Sequence, residues 1–316
     1  MLALGLLVLA GLLGLADPRR FAEQLRRFDL ALLAPILALS LLNYALRFAR
    51  WELYLRELGA ALPRGRSLAV FLVGFLLSVT PGKAGELGKA WLVRELGGGP
   101  ALRVAPAVLA ERVTDLLGVA VVLAVGALAF PGGAWWAALG LAAVAAGVAV
   151  FTWEPFAAWL FRWVARLPVA GPRAGALAAV YQGLRGLLSP RLLGMGLLAA
   201  TVAWGAEGAG FVIAVRGYAP HAGFLAGLFD YNVSTFLGSA SMLPGGLGAA
   251  DGALTALLRA QGLDLARATS ITFVIRGATL WFAVLLGLLA LPFLARQLRL
   301  GGARRTATRA EVPLLP

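Results

Sequence analysis

Apolar stretches punctuated by arginine, glycine and proline run the length of this 316-residue chain. They fall at about 1–16, 30–48, 67–80, 84–96, 104–130, 134–152, 191–215, 222–242, 249–261 and 268–294. Several reach the roughly 17–25 residues that a helix needs to cross a bilayer. The period-two alternation of a membrane barrel strand is missing from them. The pattern predicts an all-α polytopic membrane protein. Two pairs are too short for ordinary spans. Residues 67–80 and 84–96 would each cover only about 20 Å as helix, against a hydrocarbon core of about 30 Å. They are joined through Pro81 and Gly82, and 230–242 is joined to 249–261 through Pro244, Gly245 and Gly246. Each pair reads as a re-entrant hairpin of two half-helices, which leaves about six spans.

Composition agrees. Hydrophobic residues make up 60% of the chain, charged residues only 14%, and the mean hydropathy is +0.85. There is no cysteine, which excludes disulfides, thiolate nucleophiles and cysteine metal sites. The single histidine, His221, sits between apolar segments and reads as a surface loop residue. No metal or cofactor is expected. The net charge of +13 does not point to nucleic acid, because the arginines flank apolar runs. That is the placement of the positive-inside rule, with anionic lipid as the nearest counter-charge.

Arginines at 47–66, 153–190 and in the tail set an orientation with both termini in the cytoplasm of a cell (inner) membrane. The first hairpin then enters from the cytoplasm and the second from outside. Residues 17–29 fall outside despite Arg19, Arg20, Arg26 and Arg27. The first segment reads as an uncleaved anchor, lacking the basic start of a signal peptide. Residues 153–187, rich in Trp and Arg, are expected partly along the cytoplasmic interface. The expected organisation is one transmembrane domain over 1–295 and a basic tail over 296–316.

The two hairpins repeat one another. A shift that carries Pro81 onto Pro244 carries Gly82 onto Gly245, Gly85 onto Gly248, and Ser67 onto Asp230. Ser67 and Asp230 read as N-caps of the first half-helices. Allowing one inserted residue, Arg112 falls beside Arg276. Each arginine lies roughly 12 Å along the span after its hairpin. The repeats, about 67–152 and 230–295, run in opposite directions. Opposed repeats with broken helices place substrate near the midplane in many transporters.

Charges within the apolar regions mark a candidate site: Lys83, Glu86, Lys89, Glu111, Arg112, Asp115, Asp251 and Arg276, with Glu207 alone in its span. Each costs about 2.5–3.5 kcal/mol at the centre of a membrane helix, so pairing or a wet cavity is required. Glu86 and Asp251 are open to a scaffold role, since acids early in a helix suit its dipole. Arg112 and Arg276 suit a substrate phosphate or carboxylate. Glu111 and Asp115 share a helix face as partners for Arg112-side groups or Lys83, and Glu207 calls for a basic neighbour. Arg47, Arg50 and Trp51 read as the interfacial end of a span, either as anchors or as headgroup contacts.

In order, RFARWELYLRELGA, SVTPGKAGELGKAWLVRE, AERVTDLLG, MLPGGLGAADGALTALL and IRGATLWF resemble the transmembrane region of lysylphosphatidylglycerol synthases, over about residues 30 to 295. That region also occurs alone, as flippase-like membrane proteins. The resemblance implies movement of lipid headgroups between leaflets. Aminoacyl transfer belongs to a separate soluble domain in that family, so enzyme activity is not implied. One departure is Asp251, where the family's second motif usually carries Glu. The leading expectation is a flippase or scramblase for an anionic phospholipid or polyprenyl-linked glycolipid. The alternatives are a secondary transporter of a small anionic solute, with Glu86 or Asp251 carrying a proton, a membrane headgroup transferase, and an accessory subunit of lipid or glycan biosynthesis. Membrane lipids are the expected partners, with a homo-oligomer or a biosynthetic protein partner left open.

Overall fold

In the computed structural model of this chain, residues 18–153, 155–156, 159, 162–163, 166 and 174–310 are described. The apolar segment at 1–16 and the end of the tail at 311–316 fall outside them, as does much of 153–173. The described residues are helical, with no strand among them. The helices are α1 (Pro18–Arg27), α2 (Leu33–Glu57), α3 (Arg64–Leu77), α4 (Gly88–Glu95), α5 (Ala101–Ala127) and α6 (Gly133–Thr152). They continue as α7 (Ala174–Leu187), α8 (Pro190–Arg216), α9 (Phe224–Ala240), α10 (Ala249–Ala260), α11 (Leu265–Arg276) and α12 (Phe282–Ala310).

The chain breaks at both expected places, for a readable reason. Pro81 and Pro244 lack an N–H and push the residue before them out of the helical region. Thr80 and Leu243 are accordingly extended, with ψ of 156° and 148°. A 3₁₀ turn, Pro81–Leu87, links α3 to α4. The Thr80 hydroxyl closes it by accepting the Gly85 N–H at 2.7 Å and donating to the Leu77 carbonyl at 2.8 Å. A Cβ on Gly85 would stand 2.8 Å from that carbonyl oxygen, so glycine is needed there. The link from α9 to α10 instead uses left-handed backbone, with φ of 61°, 66° and 86° at Gly245, Gly246 and Gly248. Glycine adopts this region without steric cost. In each hairpin the two helices pack on each other.

The apolar core has two parts, one built around each hairpin. Val70, Phe71, Val93 and Leu55 centre the first, and Phe211, Leu254, Leu258 and Ile275 the second. Helices α2, α5 and α8 are shared by both parts and hold the halves together. Small residues let them close up: a Cβ on Gly118 of α5 would sit 2.7 Å from the Ala200 side chain of α8. This is the close backbone approach that membrane helices favour. Large apolar side chains such as Trp135, Trp136, Leu198 and Leu289 face outward. Leu30–Glu57, Pro190–Arg216 and Leu265–Leu300 are long and apolar enough to cross a membrane.

Several boundaries differ from expectation. Residues 17–29, expected as a link, contain the amphipathic helix α1, which lies against α11. Helix α2 does not end near residue 48 but continues to Glu57. Helix α9 begins at Phe224 rather than Asp230, and α3 at Arg64 rather than Ser67, so neither Ser67 nor Asp230 is an N-cap. Pro63 and Gly223 supply the extended entries instead. Ser67 donates to Glu52 and accepts the Trp51 indole N–H, while Asp230 accepts from the Gln261 amide. Both polar residues are thus consumed by tertiary contacts. The exposed loop position of His221 is as expected. Helix α7, at the end of the 153–187 stretch, packs on α5, where Gly183 abuts Pro106.

Candidate functional site

The first hairpin turn carries Glu86, buried at 3% exposure, and α5 passes across it. Arg112, the residue after the first acid of the AERVTDLL motif, reaches back and pairs with the Glu86 carboxylate. The second hairpin repeats the arrangement with different chemistry. Asp251 is the third residue of α10, and its Oδ2 accepts the Gly248 N–H at 2.8 Å, capping the helix. Its Oδ1 lies 2.7 Å from Arg276 Nε. Arg276 Nη2 also donates to the Gly245 carbonyl at 2.9 Å. The short aspartate arm therefore serves the cap and the ion pair together. Glu86 sits in the 3₁₀ turn Pro81–Leu87.

Arg276 ends α11 because the helix changes winding at Gly277–Trp281, a π-helical turn. Such turns interrupt the regular ladder and are frequent at functional sites. Tyr44 of α2 donates to the Thr279 carbonyl within it at 2.6 Å, and the Thr279 hydroxyl donates to the Ile275 carbonyl at 2.8 Å. The extra residue is thereby fixed, with Arg276 at its mouth.

The two hairpin breaks meet. A Cβ on Gly245 would lie 3.7 Å from the Val79 side chain. Beside this junction is a cavity of about 100 Å³ lined by Arg47, Glu86, Arg112, Glu207, Tyr231 and Arg276, with Tyr44 and Trp204 also on its wall. Both arginines thus reach one space. An apolar cavity of about 340 Å³ opens next to it, sharing Arg112 and Trp204 and lined further by Leu116, Val119, Phe236 and Leu243. Polar and apolar chambers stand side by side.

Glu207, on α8, is 6% exposed. Its expected basic neighbour is replaced by a phenol: Tyr231 donates to its Oε2 at 2.7 Å. The signal in the sequence was weak, since a tyrosine on α9 gives no charge pattern to find. Arg47 lies against the rings of Phe75 and Trp204, 5.5 and 5.8 Å from their centroids.

Arg50 and Trp51 are not interfacial. Their exposures are 2% and 0%. Because α2 runs on to Glu57, these residues face the bundle interior instead of a membrane surface. Arg50 donates to Asp115 at 2.6 Å, and Arg47 lies 3.7 Å from the same carboxylate. Asp115 therefore serves α2 more than Arg112, from which it is 4.0 Å. Among the described residues Glu111 pairs with Lys89 of α4 at 2.5 Å. The Lys89 stem crosses Gly74, and its ammonium lies 4.5 Å from the Trp51 ring centroid. A buried cation over an aromatic face gains further attraction. Neither Lys89 nor Glu111 lines either cavity. Pro81, Gly82 and Lys83 form the start of the first turn, and the Lys83 side chain falls outside the described residues.

The family whose profile matches is described as Lysylphosphatidylglycerol synthase TM region, and the match covers residues 2–287. The chain belongs to this family. No curated protein matches the chain.

Proposed function

Taking membership of that lipid-related membrane family as the premise, we propose that the protein moves the headgroup of an anionic phospholipid or polyprenyl-linked glycolipid between leaflets. The observation that carries this is the polar cavity at the meeting of two broken helical hairpins, with Arg112 and Arg276 on its wall. Broken backbone at membrane depth is tolerated where it is buried in protein or lines a wet cavity. Guanidinium groups match phosphate geometry with paired donors.

On this reading the hairpins are re-entrant, form an inverted repeat and accompany about six spans, with both termini cytoplasmic. Arg112 and Arg276 are each held by a carboxylate. An arriving phosphate competes with Glu86 for Arg112 and with Asp251 for Arg276. The acyl or prenyl chain lies along the adjoining apolar chamber. That chamber favours an amphiphile over a free anion, because a small solute has no use for 340 Å³ of apolar wall beside its site. The protein acts as a carrier and leaves the lipid chemically unchanged.

The two transport readings separate in one preparation. Vesicles containing the purified protein are assayed for leaflet exchange of labelled phosphatidylglycerol and for uptake of labelled glycerol phosphate. Exchange of the lipid without uptake of the solute is the expected result. Uptake of the solute alone refutes the lipid reading in favour of an anion transporter.

A further inference from the structure

We infer that Glu207 is a proton-binding site coupled to the headgroup site, so that an anionic headgroup and a proton enter the cavity together. The inference rests on the lipid reading and adds its coupling ion.

Charge pairing within the buried cluster carries it. Glu86 pairs with Arg112, Glu111 with Lys89, Asp115 with Arg50, and Asp251 with Arg276. Two charged residues on the cavity wall remain outside this one-to-one scheme, Arg47 and Glu207. Among the described residues the ion-pair contact of Arg47 is to the far oxygen of Asp115, at 3.7 Å, a carboxylate already held by Arg50. Among the described residues Glu207 makes no ion pair, and its hydrogen-bonding partner is the neutral Tyr231. A buried carboxylate held by no direct ion pair depends on the surrounding positive field, and it takes up a proton when that field is spent elsewhere. Tyr231 occupies Oε2, which leaves Oε1 to carry that proton.

The groups facing Glu207 make its charge responsive to the ligand. From α2 come Arg47 and Tyr44, from the first hairpin turn Glu86, from α5 Arg112 and Asp115, from α9 Tyr231, and from the end of α11 Arg276. Without a ligand, the arginines support an ionised Glu207. A phosphodiester on those arginines brings a like charge into the same small cavity and takes up their field. The like charge then favours the protonated acid. Coupling of this kind is reciprocal: if the anion helps the proton bind, the proton helps the anion bind by the same factor. With Glu207 ionised the cluster is neutral. With it protonated the cluster is one unit positive, which one phosphodiester cancels. Headgroup plus proton therefore crosses as an electroneutral load, and a proton gradient can bias the direction. Glu86 and Asp251 are poor carriers by comparison, because each is tied to an arginine.

The test uses purified full-length protein in detergent with short-chain phosphatidylglycerol. Proton uptake on lipid addition is read with an indicator dye in weak buffer between roughly pH 5 and 9. The wild type should take up protons on binding, with a maximum approaching one per lipid. Over the same interval its affinity should weaken by up to about tenfold per pH unit as pH rises. Glu207→Gln keeps an acceptor for Tyr231 and should bind lipid with neither proton uptake nor this pH dependence. Wild-type binding without proton uptake, or uptake that survives in Glu207→Gln, overturns the inference and leaves lipid movement intact. A wild type that neither binds nor moves any anionic lipid overturns the lipid reading, and this inference with it.

Discussion

Removing one member of the Lys89–Glu111 pair should cost far more than removing both. The two side chains are 5% and 2% exposed, with nitrogen and oxygen 2.5 Å apart. At an effective dielectric of about 20 their attraction is about 6–7 kcal/mol. Desolvating the two ions costs several kcal/mol each, so the net contribution of the intact pair is small. Lys89→Met strands a buried carboxylate and also empties the face of Trp51. Glu111→Met strands a buried ammonium. Each single variant should lose about 3–5 kcal/mol, while the double variant should lie within about 1–2 kcal/mol of wild type. At about 2 °C per kcal/mol, each single change lowers the apparent unfolding midpoint in detergent by roughly 6–10 °C. The double change should recover most of that loss. Midpoints for the single variants within a degree of wild type would refute the pair as a structural clamp. So would a double variant whose loss equals the sum of the two. Because the pair lies off both cavities, the double variant should also retain wild-type lipid movement.

Five further changes probe other parts of the protein. Gly118→Val forces a side chain into the α5–α8 contact and should cost about 1–3 kcal/mol, read as a lower thermal midpoint. Asp251→Glu lengthens the arm that caps Gly248 and pairs with Arg276. It should lose about 1 kcal/mol of cap and slow lipid movement, whereas Glu86→Asp should slow movement with little loss of stability. Tyr44→Phe removes one of the two donors to the Thr279 carbonyl and should destabilise by about 0.5–1.5 kcal/mol in the same assay. Arg112→Lys keeps the charge but loses paired donors, so it should move lipid more slowly than wild type and faster than Arg112→Ala.

Much of the helical plan was legible because two signals are strong and local. Length and hydropathy mark the spans, and Pro-Gly steps mark the breaks. Those breaks stand where Pro81 and Pro244 predicted, and Arg112 and Arg276 line one cavity. The partner of each charge was less legible. Glu111 pairs with Lys89 because α4 packs along α5, and nothing in the spacing of AERVTDLL distinguishes that from a pairing with Lys83. Arg50 and Trp51 looked interfacial because arginine beside tryptophan is common at a membrane surface. Their burial follows from α2 extending one and a half turns past them. Ser67 and Asp230 looked like caps because cap chemistry depends on residue type, yet their hydroxyl and carboxylate are taken by Glu52, Trp51 and Gln261. The Glu207–Tyr231 contact and the π-helical turn after Arg276 arise from packing between distant segments and leave no local signature.

The account stands on the cavity arginines being the path of the headgroup. Leaflet exchange of labelled phosphatidylglycerol and phosphatidylcholine should be followed in vesicles containing wild type or the Arg112→Ala, Arg276→Ala double variant, with folding checked by circular dichroism. The account predicts exchange in the wild type, faster for the anionic lipid, and its loss in the folded double variant. Undiminished exchange in that variant would contradict it.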